Sequence, residues 1–328
     1  MPLPEKKLIE HIRRQALGGP SVVTGIGDDC AVLRVPPGHD LLVTTDFSIE
    51  NVHFRRDWHP AELVGQRCLT RGLSDIAAMG GEPRAAFLSL AVSGEVPQKW
   101  VDQFLKGLLE LADEFKVPLA GGDTAQSPAG IQADIVVVGS VPNGKAVLRS
   151  GAKPGEGIYV TGELGGSAAA LARLAEAKPE SQLAGAEFSR HFSGQLARQS
   201  CPQARVAVGR SLRRRGLASA MIDLSDGLST DLEHICQESH VGAEIEAEAI
   251  PRAQLGRGKT PVALELALHG GDDYELLFTS TAAVPARVAG VRVTRIGRTT
   301  RLAGIRLIGA DGTKQPLQAA GWEHFKQN

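Results

Sequence analysis

Apolar and polar positions along the first half of the chain alternate in two distinct periods. Apolar residues recur every three to four positions in stretches that predict helices over 5–15, 60–79 and 97–115. Pro60 is suited to open the second helix, and Gly80 is suited to end it. Short apolar runs between the helices predict strands over 41–45, 84–92, 117–120 and 131–141.

The pattern restarts after the segment 142–156, in which Pro-Asn-Gly at its start and Gly-Ala-Lys-Pro-Gly near its end predict turns. Beyond it, strands are predicted at 158–161, 218–222, 243–247, 275–279, 291–296 and 305–308. Helices are predicted at 167–176, 205–215, 228–238 and 262–268. Because strands and helices alternate in both halves, we expect an α/β protein of two domains, 1–145 and 146–328.

The composition of the chain limits the classes of protein to which it can belong. The chain has 328 residues, 42% of them hydrophobic, which is enough for two cores without disulfides. A formal net charge of -1 predicts no nucleic-acid partner, and no apolar run is long enough for a membrane span. The four cysteines form no C-x-x-C pair, so we expect reduced thiols rather than a zinc or redox site. The first residues lack the apolar stretch of a signal peptide, so we expect a cytoplasmic protein.

Acidic residues are concentrated in short turns that contain glycine or serine. Nine aspartates share this setting: Asp28, Asp29, Asp46, Asp75, Asp123, Asp223, Asp226, Asp272 and Asp273. Several of them follow predicted strands, as Asp46 follows 41–45 and Asp123 follows 117–120. If these carboxylates converge, their repulsion requires cations between them, and hard divalent ions with oxygen ligands point to phosphate chemistry.

Two nucleotide-binding motifs are excluded. Gly25 to Cys30 resembles the start of G-x-G-x-x-G, but cysteine replaces the third glycine and two acids would repel a pyrophosphate. Ala253 to Thr260 imitates a P-loop, but alanine stands where the first glycine is required. We therefore expect neither a Rossmann site nor a P-loop.

Structural roles compete with functional ones at several positions. Asp75 lies in an apolar helical segment, where it either binds metal or pairs with Arg71 four residues earlier. Ser225 or Asp226 is a candidate helix N-cap, although capping does not account for Asp223. Asp28 and Asp273 are either ligands or turn residues.

Motifs along nearly the whole chain resemble those of the PurM-like, AIR synthase-related superfamily, within it the thiamine-monophosphate kinase branch. The motifs are Gly25–Ala31, Thr44–Asp46, Asn51–Phe54, Leu73–Gly80, Gly121–Thr124, Arg149–Gly155, Ile222–Gly227, Gly271–Glu275 and Gly321–Phe325. The presence of both the Asn51–Phe54 motif and the C-terminal motif that contains Trp322 favours the thiamine-monophosphate kinase branch. It argues against the ATP-dependent synthetases and the hydrogenase maturation dehydratase of the same superfamily. One departure is Asp272, which stands where relatives often carry glutamate.

The resemblance implies a mixed α/β fold of two domains and a homodimer. Its N-terminal domain would bind ATP and Mg²⁺ and form a β-barrel-like dimer core, and its C-terminal α/β domain would complete the active site. It implies several Mg²⁺ ions, held by Asp29, Thr44, Thr45, Asp46, Asp75, Asp123, Asp223 and Asp226. ATP would contact Gly121, Gly122, Arg149 and Ser225, and thiamine monophosphate would contact His53, Asp272 and Trp322.

The implied activity is transfer of the ATP γ-phosphoryl group to thiamine monophosphate, giving thiamine diphosphate. Because the acceptor is already a phosphate anion, we expect no catalytic acid or base and a mechanism of charge neutralisation and in-line positioning. Stacking of Trp322 on a cationic ring competes with a packing role for this side chain. The alternative functions are another ATP-dependent synthetase of the superfamily and a non-catalytic ATP- or thiamine-phosphate-binding protein.

Overall fold

The computed structural model describes residue 3 and residues 5–16, 18–26, 31–176, 202–255 and 260–322. These residues form two compact units. The first contains the described residues up to Ile76 together with Gly81–Gly144, and the second contains Ala77–Gly80 and the described residues from Lys145 onward. Expected features at Asp28, Asp29 and 178–200 lie outside the described residues.

The first unit is built on a four-stranded sheet. Its helices are α1 (Glu5–Gln15), α2 (Ala61–Ala78) and α3 (Gln98–Phe115). Its strands are β1 (Val22–Thr24), β2 (Val32–Leu33), β3 (His39–Ile49), β4 (Glu82–Val92), β5 (Leu119–Gln126) and β6 (Ile131–Pro142). The sheet has the order β3-β6-β4-β5, in which only the β4–β5 pair is parallel, while β1 and β2 pair separately.

Two strands of this sheet are longer than the sequence pattern predicts. Asp46 lies inside β3 rather than beyond its end, because the strand continues to Ile49. Strand β5 likewise runs through the Gly121–Thr124 segment, which we expected to be a loop. Glycine permits this continuation, since a Cβ at Gly122 would lie 1.9 Å from the carbonyl oxygen of Leu88 on β4.

The second unit contains a larger mixed sheet. Its helices are α4 (Gly166–Glu176), α5 (Val206–Arg214), α6 (Leu228–Ser239) and α7 (Leu264–His269), and two 3₁₀ turns lie at Arg149–Gly151 and Ala247–Ala249. Its strands are β7 (Gly157–Thr161), β8 (Ala220–Asp223), β9 (Gly242–Glu246), β10 (Gln254–Leu255), β11 (Thr260–Pro261), β12 (Leu276–Ser280), β13 (Arg287–Val288), β14 (Val291–Thr300), β15 (Ile305–Ile308) and β16 (Lys314–Leu317).

Antiparallel pairing dominates this second sheet. Its order is β16-β15-β9-β14-β7-β12-β8, with β13 added to β14 and β10–β11 forming a separate pair. Apolar side chains of α6 and α7 pack on β7, β8, β9 and β12 to form the core. This packing holds the turn after β8 and the turn before β12 on a rigid frame. Within the described residues, none of the helices is both long enough and apolar enough to cross a membrane.

Candidate active site

Acidic and hydroxyl side chains on β3 and α2 meet on one face of the first sheet. The Thr44 hydroxyl donates a hydrogen bond to Asp75 Oδ2, and Arg71 Nη1 lies 3.5 Å from Asp46 Oδ1. Thr44 and Asp46 share this face because side chains two positions apart in a strand point the same way. Thr45 is exposed, and the same alternation directs it to the opposite face. The structure therefore brings Thr44, Asp46 and Asp75 together.

Asp123 lies elsewhere in the first unit. It is exposed on β5, and its Oδ1 accepts the N–H of Thr124 at 2.8 Å. Strands β6 and β4 separate β5 from β3, which corresponds to about 14 Å at ordinary strand spacing. Within one chain, Asp123 and Asp46 are therefore too far apart to hold the same cation.

The Gly121–Thr124 segment instead lines a cleft of about 700 Å³. Apolar side chains of Ile9, Ile12 and Phe87 form other parts of its wall. Ile26 and Ala31, which precede and follow residues 27–30, also line it. Apolar walls with a few polar groups are typical of a site for a small organic ligand.

His53 and Asp134 are the other notable polar residues of this unit. The Ile49 N–H donates to His53 Nδ1 at 3.0 Å, so the neutral ring carries its proton on Nε2. Burial raises the pKa of Asp134, whose carboxylate accepts the Asp46 N–H, and its Oδ1 is buried with no hydrogen-bond partner among the described residues. Sequence reasoning missed Asp134, although a lone acid within the apolar stretch 131–141 is a detectable signal.

In the second unit, backbone hydrogen bonds join the turns that carry four expected site residues. The Asp272 N–H donates to the Ser225 carbonyl oxygen at 2.8 Å, and the Trp322 N–H donates to the Asp226 carbonyl oxygen at 3.1 Å. Asp223 ends β8 beside these turns and is only 4% exposed. Distant stretches of sequence thus form one cluster.

Neither of the two candidate N-cap residues, Ser225 and Asp226, is the N-cap of the helix at this cluster. Helix α6 has Gly227 as its N-cap, and no side-chain cap hydrogen bond is formed there in the described chain. Instead, buried Asp231 reaches back, and its Oδ2 accepts the N–H groups of Asp226 and Gly227 at 3.2 and 3.0 Å. Ser225 and Asp226 are therefore not needed to cap the helix.

Asp226, Asp231 and His234 offer three ligand atoms that all lie within 4.8 Å of one another. Burial, followed by the nearby charges of Asp223 and Asp226, raises the pKa of Asp231 well above its usual value. Such unneutralised negative charge fits a bound cation. Sequence reasoning missed Asp231 and His234, although their spacing of three residues places both on one side of α6.

Arg149 belongs to the 3₁₀ turn at Arg149–Gly151 and has an exposed side chain. The Ser239 hydroxyl donates to the Arg149 carbonyl oxygen at 2.6 Å, which fixes the backbone of this turn. The guanidinium thus extends from an anchored position, as expected for a residue that binds phosphate oxygens.

Asp273 acts as a turn residue in this structure. Its carboxylate accepts the N–H of Gly165 at 2.7 Å and of Ser167 at 3.4 Å, which joins the turn to the start of α4. Burial, and then the charges of Glu275 and Asp272, raises the pKa of Asp273 to about 7 despite these hydrogen bonds.

Because the pKa of Asp273 is about 7 in the folded state and 3.8 is the ordinary value for an aspartate, the folded protein binds more protons at this residue than the unfolded chain does between these pH values. We therefore expect its contribution to stability to be present below pH 4 and to be lost as pH rises to about 7. In the wild type, the free energy of unfolding should therefore decrease between pH 5 and 7.5. Asp273→Asn should make this decrease about 2 kcal/mol smaller, as measured by urea denaturation at each pH. An unchanged pH slope would show that Asp273 does not titrate in this window.

Comparison with known proteins places this geometry in a family. The family model for the AIR synthase related protein N-terminal domain matches residues 27–141, and that for the C-terminal domain matches 153–307. Thiamine-monophosphate kinase of Salmonella typhimurium is 38% identical over 93% of this chain and 92% of its own length. That of Bacillus subtilis is 34% identical over 98% of this chain and 99% of its own length.

Two solved structures show that the similarity extends to the three-dimensional fold. Thiamine-monophosphate kinase from Stenotrophomonas maltophilia has a TM-score of 0.77 and 34% identity, covering 96% of this chain and 99% of that one. AaThiL complexed with AMPPCP and TMP has a TM-score of 0.73 and 31% identity, covering 98% of this chain and 99% of that one. The chain therefore belongs to the thiamine-monophosphate kinase family, within the AIR synthase related proteins.

Proposed function

We propose that this protein transfers the γ-phosphoryl group of ATP to thiamine monophosphate, giving thiamine diphosphate and ADP, the last step in making that cofactor. The observation that carries this proposal is the full-length similarity to AaThiL, which was solved with the ATP analogue AMPPCP and with TMP. The two groups of acidic residues, one in each unit, are consistent with a reaction between two phosphate-bearing substrates.

ATP is proposed to occupy the cleft of the first unit. Gly121 and Gly122 line this cleft and lack side chains, so a ligand can approach the backbone closely. Arg149 and Ser225 are also proposed as contacts of ATP, with the Arg149 guanidinium on phosphate oxygens.

Mg²⁺ ions are proposed at three places. Carboxylate and hydroxyl oxygens of Thr44, Asp46 and Asp75 suit one position, Asp123 suits another, and Asp29 completes the proposed first-unit set. Thr45 was also expected as a ligand, but it lies on the opposite face of β3 and is not proposed for the position of Thr44. In the second unit, Asp223 and Asp226 are the proposed ligands, and the adjacent Asp231 and His234 lie within reach of the same position. When bound, Mg²⁺ neutralises the charge that separates two anionic reactants.

The described residues suit a mechanism without a general base. The acceptor oxygen of thiamine monophosphate is already anionic near neutral pH, so the protein has to orient it rather than deprotonate it. His53 presents Nε2–H as a donor for that phosphate, and Asp272 and Trp322 contact the thiamine portion. Arg149 holds ATP so that donor and acceptor oxygens are in line.

The proposed homodimer would use the first sheet. Strand β3 is an edge strand, and Leu41, Val43 and Phe47 on one of its faces are each more than half exposed. An exposed apolar face of this kind favours burial against another surface, and a second copy forming a barrel-like core is the proposed partner. Sedimentation equilibrium measures this state directly. A cytoplasmic location is also proposed, which agrees with the buried free thiols of Cys68 and Cys236.

Incubation with ATP, Mg²⁺ and thiamine monophosphate tests the proposal. We expect one thiamine diphosphate and one ADP per turnover, separated by chromatography. ADP formation without thiamine diphosphate would favour a synthetase with another acceptor. Binding of both ligands without product would favour a non-catalytic sensor.

Trp322→Ala is expected to raise the KM for thiamine monophosphate about 10-fold and to change kcat less than 3-fold. Trp322 is 53% exposed and its backbone N–H donates to the Asp226 carbonyl oxygen, so the residue is anchored and much of it remains accessible for stacking on a cationic thiazolium. Steady-state kinetics with Trp58→Ala as control measure the effect. An unchanged acceptor KM with a lower melting temperature would identify Trp322 as a packing residue.

A further inference from the structure

The hydroxyl of Tyr274 lies 2.7 Å from Asp272 Oδ1 and donates a hydrogen bond to it. Tyr274 is only 2% exposed, so its hydroxyl is held by the surrounding core rather than by solvent. Both residues have positive φ angles, 64° for Asp272 and 50° for Tyr274, a conformation that costs free energy for residues other than glycine. The turn therefore adopts an unfavourable backbone in which this hydrogen bond forms.

Contacts on both sides maintain the turn. On one side, the N–H groups of Asp272 and Tyr274 donate to the carbonyl oxygens of Ser225 and Leu224, at 2.8 and 2.9 Å. On the other side, the Ser167 hydroxyl donates to the Asp272 carbonyl oxygen at 2.7 Å. The backbone of Asp272 is thus fixed independently of its side chain, and the Tyr274 hydroxyl restricts the carboxylate.

The nature of the donor matters as much as its position. A tyrosine hydroxyl is neutral near pH 7, so it orients the Asp272 carboxylate without cancelling its negative charge. An arginine or lysine in the same place would form an ion pair and neutralise it. The arrangement suits a carboxylate that has to meet a positive charge on a ligand.

We propose that Tyr274 is a positioning residue that holds the ionised Asp272 carboxylate toward the cationic, heteroaromatic part of the acceptor. The proposal rests on the proposed function, and it specifies that the contact is made to the ring portion of the acceptor rather than to its phosphate. Trp322, joined through its N–H to the neighbouring Asp226, belongs to the same cluster and provides an aromatic face.

Tyr274→Phe removes only the hydroxyl. By isothermal titration calorimetry, we expect the Kd for thiamine monophosphate and the Kd for unphosphorylated thiamine each to rise 5- to 20-fold. The Kd for AMPPCP should change less than 2-fold, kcat less than 3-fold and the melting temperature less than 3 °C. Tyr159→Phe, at the other tyrosine of the chain, is the matched control and should change none of these values.

A double-mutant cycle keeps the test decisive. If Tyr274 acts through Asp272, then Tyr274→Phe should weaken thiamine binding less than 2-fold further in an Asp272→Asn background. Fully additive effects, an unchanged acceptor Kd, or an equal loss of AMPPCP affinity would each overturn the proposal. Because the readout is binding, a wild-type protein that binds thiamine monophosphate without phosphorylating it would reject the proposed activity while leaving this test intact.

Discussion

Asp75→Asn is expected to fold like the wild type and to lose at least about 100-fold in kcat, which corresponds to about 2.7 kcal/mol of transition-state stabilisation. Asparagine keeps the shape of aspartate and retains an oxygen that can accept the Thr44 hydroxyl. What it removes is the negative charge beside Asp46. If that charge holds a cation between the reactants, turnover fails although the hydrogen bond from Thr44 is kept.

Steady-state kinetics over a range of Mg²⁺ concentrations, together with thermal melting, measure this effect. Asp113→Asn is the matched control, since Asp113 is an exposed aspartate on α3 of the same unit. Turnover within 3-fold of the wild type at saturating Mg²⁺ would reject a metal role for Asp75. A large loss of melting temperature would instead identify the residue as structural.

Asp226→Asn is expected to change activity and stability in opposite directions. Asp223, Asp226 and the buried Asp231 place three carboxylates near one another, and burial, followed by the charges of the first two, raises the pKa of the third. Removing one charge relieves that repulsion, so without Mg²⁺ the variant should melt about 1 to 3 °C higher than the wild type. Loss of a cation ligand should lower kcat at least about 100-fold.

Melting curves with and without Mg²⁺ distinguish the two effects. The wild type should gain stability when Mg²⁺ is added, because an ion that binds only the folded state stabilises it, and the variant should gain much less. Glu238→Gln removes one negative charge from an exposed position on α6 and is the control. A lower melting temperature for Asp226→Asn in the absence of Mg²⁺ would contradict the repulsion argument.

Much of the secondary structure follows from local pattern. Helix α3 was predicted at 97–115 and spans Gln98–Phe115, because its apolar stripe repeats with the helical period over five turns. Short strands were less predictable: β1, β2, β10, β11, β13 and β16 were not anticipated. Each has four residues or fewer, too few for an alternation to emerge.

The Gly121–Thr124 segment marks the limit of local reasoning. Two consecutive glycines predict a loop by propensity, yet the segment is part of β5 because β4 lies close enough to pair with it. The close approach of β4 and β5 depends on the tertiary structure, and it is possible because Gly121 and Gly122 have no side chains. The same limit applies to Asp46, whose place inside β3 depends on pairing with β6 over eleven positions.

The sequence by itself determined the residue types: aspartates in turns that contain glycine or serine, a formal net charge of -1 and motifs typical of one kinase family. Only the tertiary structure decided which of these residues are neighbours. Strand order separates Asp123 from Asp46, while backbone hydrogen bonds join Asp272 to Ser225 and Trp322 to Asp226. The tertiary structure also revealed the surroundings of Asp134, Asp231, His234 and Tyr274, to which the sequence had assigned no role. The physical reason is that distances between remote stretches depend on sheet order and packing, which no local period along the chain encodes.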